Sequence, residues 1–314
     1  MALSLLPDLP LSAPPGPGGQ PGRTVLSGRV DTARRLLYAC DYAALEQTLP
    51  HLIGDLRHAA AYATEATEVL AGLLATAYQT ATSLLVKQRD QGHAWLAAGR
   101  AMAEAERSGD PVILASSIRV QAHVLAREKH TAQAVTLVRH TAGQMTGSYD
   151  RRSPAYLAAL GLLLLRGVTA AGAGGDRASA DGFLSEAKEV ARYVSVDRPD
   201  AWANFDQANV AVHEVSALVA FGDAGTALRT ARSLRHRPLV AERRAAVWVE
   251  TARAHSQLDR PADAYRALRV AETCAAQEVH RPEVRDLVAE MVARDRHRTV
   301  PGLHAFGRRL GAAA

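Results

Sequence analysis

Arg119, His123 and Arg127 stand four residues apart in "SSIRVQAHVLAR", a spacing that puts all three on one face of a helix. Such a stripe suits an anion, because each guanidinium presents a planar fork that matches two carboxylate oxygens. Asn209, His213 and Ser216 form a second stripe in "ANVAVHEVS", where an amide, an imidazole and a hydroxyl suit a peptide backbone or a polar small molecule. Gln79 and Ser83 repeat the spacing earlier in the chain, and Arg253 and Gln257 repeat it later. Asn209 and His213 have two readings at this point: contacts to a ligand, or internal hydrogen bonds that fix neighbouring helices. If the chain catalyses anything, His123 or His213 is the general acid or base.

Other chemistry finds no complete signature. There is no GxxxxGK[ST] and no GxGxxG, since "GAGGDR" breaks at its last position, and there is no GxSxG. "HEVSA" opens like the zinc-protease motif, but Ala217 stands where the second histidine ligand belongs. "SEAK" matches SxxK without its companion motifs. His51 and His58 share a helix face and lack an evident third ligand. No catalytic residue, metal or cofactor is therefore expected. Cys40 and Cys274 are distant and have no CxxC neighbour, as expected of inert thiols in a reducing cytoplasm.

The elements that position these stripes follow from a recurring phrase. "FGDAGTALRTA" and "LDRPADAYRALRVAE" each place a turn, at Gly222 or Asp259, five residues before an alanine. Earlier stretches align on the same pattern, giving Ala94, Ala134, Ala180, Ala227 and Ala264 at intervals of 37 to 47 residues. Each unit reads as two antiparallel helices, the alanine lying where the second crosses closely over the first. Asp110-Pro111 and Ser153-Pro154 are helix starts, with a capping side chain followed by proline. Trp248, Ala252, Ala264, Leu268 and Ala271 fit the tetratricopeptide offsets. The expected fold is thus all-α: a degenerate tetratricopeptide-like right-handed solenoid of about five helix pairs over residues 27–314. Helices between Asp31 and Ala61 would cap its front and "RPEVRDLVAEMV" with "GLHAFGRRLG" its back. Residues 1–26, rich in proline and glycine, read as a flexible leader. First helices of successive pairs line the concave face, so the polar stripes converge on one groove. Trp202 and Phe205 either close that groove or pack in the core.

Three lysines among 37 basic residues leave an arginine-dominated surface, with seventeen arginines against ten acidic residues between Arg229 and Arg309. That asymmetry reads either as a nucleic-acid face or as a solvated, ion-paired helix surface. The longest apolar run, "AYLAALGLLLL", is too short for a membrane span and reads as a core helix.

Several phrases, "LLYACDYAALEQTLPHLIGDLRHAA", "HAWLAAGRAMAEAERSGDP", "ANVAVHEVSALVAFGDAGTALRTA" and the ending "PGLHAFGRRLG", resemble the C-terminal sensor region of actinobacterial Xre-type regulators. The resemblance implies tetratricopeptide-like repeats that sense a ligand, in a family whose helix-turn-helix domain precedes them. Only the leader stands before Arg29, so the family's DNA-binding activity is not carried over. The expected function is a cytoplasmic sensor module that captures a peptide, a protein segment or a small anionic signal. It would act through a separate DNA-binding partner or as a homodimer, without direct nucleic-acid or membrane contact. The alternative is an enzyme or accessory protein of specialised metabolism that uses a histidine in the same groove.

Overall fold

The computed structural model describes residues 21–147, 153–194 and 205–312, and the regular structure among them is entirely helical. Six antiparallel pairs follow one another. They are α1 (Arg23–Ala39) with α2 (Tyr42–Tyr62), α3 (Thr67–Lys87) with α4 (Gln91–Ser108), and α5 (Pro111–Arg127) with α6 (Thr131–Gly147). Then come α7 (Pro154–Ala173) with α8 (Arg177–Ala191), α9 (Gln207–Ala220) with α10 (Ala224–Ser233), and α11 (Ala241–Gln257) with α12 (Pro261–Cys274). A short α13 (Ala276–Val279), α14 (Pro282–Arg294) and α15 (Leu303–Leu310) complete the chain.

One turn joins five of these pairs. Arg89, Lys129, Gly175, Gly222 and Asp259 all have positive φ. In each case the next N–H reaches back to the carbonyl five positions earlier, at 2.8 to 3.0 Å, the bond of a Schellman turn. Five residues beyond each turn stand Ala94, Ala134, Ala180, Ala227 and Ala264, each at most 1% exposed. The left-handed residue reverses the chain, and the alanine lets the second helix lie close on the first. Cys40 makes a sixth turn of the same kind, with φ 61 and the Asp41 N–H on Leu36 at 3.0 Å. Leu45 occupies the alanine position there. The expected front cap is therefore a helix pair like the others, hidden from an alignment made on alanine.

Helix starts obey capping chemistry. Asp110 accepts the N–H of Val112 at 2.7 Å and Ser153 that of Tyr156 at 3.4 Å, each followed by proline. One expected boundary moves. α1 begins at Arg23, inside the stretch assigned to the leader, because Leu26, Val30 and Ala33 repeat at helical spacing and all three are buried. Residues 1–20 lie outside the described residues.

The odd-numbered helices touch in sequence, α1 on α3, α3 on α5, α5 on α7, α7 on α9 and α9 on α11. α11 then packs on α1 and closes the cycle. One hydrophobic cluster accordingly joins Leu26, Leu45 and Leu84 near the start of the chain to Ala245 and Ala275 near its end. α3 and α7 are long and apolar enough to cross a membrane by length and composition, and most of each is buried against other helices. Phe205 is core: its ring lies over Gly161, where a Cβ would come within 2.1 Å of it. Trp202 lies outside the described residues.

Candidate functional site

The cycle of odd-numbered helices surrounds a partly open cavity of about 380 Å³. α1 contributes Leu37 and Tyr38, α3 Ser83 and Lys87, and α5 Arg119, His123 and Arg127. α7 adds Arg166 and Thr169, α9 His213 and Ser216, α11 Glu242, Arg243 and Glu250, and the start of α14 Arg281. Alternate helices can meet there because each buries its apolar face outward against an even-numbered partner and turns its polar stripe inward.

Of the residues singled out in the sequence, Arg119, His123, Arg127, His213 and Ser216 come together in this cavity. Ser83 lines it as well, whereas Gln79, Asn209, Arg253 and Gln257 do not. Gln79 is buried between helices, its amide donating to Ser117 Oγ at 2.8 Å and to the Ile113 carbonyl at 3.1 Å. Asn209 is 2% exposed, and its carbonyl faces His213 Nδ1 at 3.0 Å. Arg253 donates to the Glu283 carbonyl at 3.3 Å, and Gln257 to the Val219 carbonyl at 2.9 Å. Gln79, Arg253 and Gln257 thus bridge neighbouring elements, whereas the backbone bonds of Asn209 lie within α9 and its cap.

Six cations and two carboxylates line the cavity. Four of the cations are paired. Lys87 contacts Glu242 at 3.0 Å and Glu278 at 2.8 Å, and Arg243 contacts Glu242 at 3.3 Å. Arg281 contacts Glu278 at 3.0 Å, and Arg127 donates to Glu283. Arg119 and Arg166 have no carboxylate within ion-pair distance among the described residues. Arg166 donates to Thr169 Oγ1 at 3.2 Å, and its Nε is buried without a partner. The cavity thus holds two guanidiniums without a direct carboxylate partner among the described residues, although Glu242 attracts both from a distance.

The titratable groups register that excess. Burial, then the like charges of Arg119 and Arg243, pushes Arg166 down to about 9 against the pull of Glu242. Arg119 is lowered by burial and by Arg243 and Arg34, against the pull of Tyr38 and Glu242. His123 lies well below its ordinary value, through burial and then Arg166, Arg127 and Arg119. Burial and Arg243 bring His213 to about 3, so its imidazole is neutral near pH 7, with Nδ1–H donating to the Asn209 carbonyl. Burial raises Glu250, opposed by Arg253 and Arg281. Glu242 is also buried, yet Arg243 and Lys87 hold it well below the carboxylate range.

The decoy motifs resolve into structure. Glu214 of "HEVSA" and Lys188 of "SEAK" pair with each other at 2.9 Å. His58 packs against Tyr62 in a tilted arrangement, with ring centroids 4.7 Å apart. Both thiols are free, Cys40 pushed up to about 12 by burial and the Glu278 charge and Cys274 raised by burial.

Compared with known proteins, the chain matches no family model, no curated protein and no solved structure. The cavity itself therefore carries the functional reading. Sequence reasoning passed over Arg166, although a lone arginine directly after "LGLLLL" is a charge inside a core helix and is a signal in its own right. Lys87, Glu242, Arg243 and Arg281 left no local trace, since only the closure of α11 on α1 brings them to the site.

Proposed function

We propose that this chain is a binding module that captures a small dianion, a dicarboxylate or a phosphate ester, in its central cavity. The observation that carries the reading is the pair of half-buried guanidiniums at Arg119 and Arg166, which line one cavity with no carboxylate at ion-pair distance among the described residues. Leaving such charges unpaired is costly, and a bound dianion offsets the cost with bidentate charge-assisted hydrogen bonds. A volume of about 380 Å³ suits a small molecule. An extended peptide fits less well, because Leu37 and Tyr38 on α1 form part of the wall.

The helix pairs, with their repeated turn and buried alanine, support a reading as tetratricopeptide-like units of a right-handed solenoid wound until its two ends meet. A regulatory role, a separate DNA-binding partner, homodimerisation and a cytoplasmic setting rest on the family resemblance alone and belong to the same proposal. The enzymatic alternative has weaker support. A histidine held at about 3 is a poor base near neutral pH, and His123 is lowered for the same reason.

Calorimetric titration with acetate, succinate and an alkyl phosphate tests the proposal. The dianions should bind well ahead of the monoanion, and Arg119→Ala with Arg166→Ala should cost roughly 2–5 kcal/mol of that affinity. Arg127→Ala should cost less, since Glu283 already neutralises it. Equal affinity of the parent and the double variant would exclude the cavity.

A further inference from the structure

A second concentration of unpaired arginines lies on the outside of the molecule, away from the central cavity. A cleft of about 150 Å³ opens between α10, the loop after it, α11 and the start of α12. Arg232, Arg235, Arg237, Arg244 and Arg260 line it, and no carboxylate does. Among the described residues none of the five has an acidic side chain within ion-pair distance. The neighbouring Asp263 is engaged by Arg266. Some arginines on this surface are paired along their own helices, as Arg269 with Glu272 at 3.2 Å and Arg294 with Glu290 at 2.6 Å. What sets the five apart is that they line one recess.

Two further groups give the cleft a shape. Trp248 forms part of its wall, and the Arg235 guanidinium sits over the indole, 5.4 Å from the ring centroid, which holds the fork in place at little entropic cost. His255 lies at the same wall, and its Nδ1 is buried without a hydrogen-bond partner.

We propose that this cleft is a second anion site and that its ligand is a phosphoryl group carried by a small molecule. A carboxylate saturates one guanidinium fork, whereas a phosphate monoester presents three terminal oxygens and about two charges, which suits several convergent forks. The arginines converge on one recess instead of tracking along a strip, so the site takes a single phosphoryl group and not the repeating backbone of a nucleic acid. The inference does not depend on the central cavity.

The test follows Trp248 fluorescence in a Trp95→Phe, Trp202→Phe background, which leaves it the sole tryptophan. Inorganic phosphate and adenosine monophosphate should each change its emission saturably, and adenosine should not. Arg235→Ala with Arg244→Ala should weaken both responses by at least roughly ten- to a hundredfold, the scale on which even one of the two lost charge-assisted contacts acts. Both side chains are exposed, so the variant should melt like its parent. Arg119→Ala with Arg166→Ala should leave the response unchanged, which separates this site from the central one. The proposal is overturned by no response to either phosphate, or by equal affinity in the Arg235/Arg244 variant. Loss of the response in the Arg119/Arg166 variant, or a response to single-stranded oligonucleotides alone, would also overturn it.

Discussion

His213 is 7% exposed, and its folded environment opposes the proton. An unfolded imidazole takes its proton near 6.5, whereas this one waits until about pH 3. Below pH 6.5 the unfolded chain therefore binds more protons, and stability falls as pH drops from about 6.5 towards 3. Each such histidine contributes up to about 1.4 kcal/mol per pH unit. His123 acts in the same direction. Chemical denaturation between pH 7 and 4 should show this slope, and His213→Gln should flatten it; a parent curve already flat over that window would contradict the assignment. Arg166 gives the opposite kind of prediction. Its charge is disfavoured where it sits, so Arg166→Met should stabilise the ligand-free protein by about 1–3 kcal/mol, as when buried ionic groups give way to apolar ones. A lower melting temperature would show that the charge has a protein partner. At this scale the sequence was legible wherever helical spacing sufficed, and Arg119, His123 and Arg127 share a face as read. It was ambiguous for Asn209 and Gln79, because a polar stripe looks the same whether it faces a ligand or a neighbouring helix.

The helix pair is where the sequence spoke most clearly. A turn and an alanine at fixed offset are local features, so all five units could be aligned without knowing how they stack. The first pair escaped because Leu45 replaces the alanine while the turn at Cys40 is kept. Gly222 has φ 80 and open space around its Cα, so Gly222→Ala isolates the backbone term and should cost about 1–2 kcal/mol. Lys129 and Asp259 hold the same conformation with a side chain, at φ 66 and 53. Replacing either with glycine should be neutral or stabilising by up to ~1 kcal/mol, since relief of strain competes with the entropy of the unfolded chain. Ala227→Phe or Ala264→Phe should cost roughly 1–3 kcal/mol through overpacking at a crossing with no exposure. Thermal melts of these variants check both devices, and parent-like melting of the two phenylalanine variants would mean that the crossings lie elsewhere.

Closure is a property of the whole molecule, and here the sequence was silent. Nothing local in "VKQRD" tells that Lys87 will meet Glu242 and Glu278, more than 150 residues away. Glu278 is 1% exposed and bonds Lys87, Arg281 and the Tyr42 hydroxyl, tying α2 and α3 to the end of the chain. Glu278→Gln should cost roughly 3–5 kcal/mol by stranding those cations. It should also enlarge the radius of gyration in small-angle scattering, and an unchanged radius with full stability would deny the seam its role. The cavity exists because the seam closes, and its central property is an excess of cations over carboxylates. The most direct measurement compares the melting of the parent and of the Arg119→Ala, Arg166→Ala variant, with and without a saturating dianion such as succinate or an alkyl phosphate. Without ligand the variant should melt at or above the parent, because two repelling charges are gone. With ligand the order should reverse, the parent rising by binding linkage and the variant staying in place. A variant that melts lower without ligand, yet still rises with it as the parent does, would contradict the account.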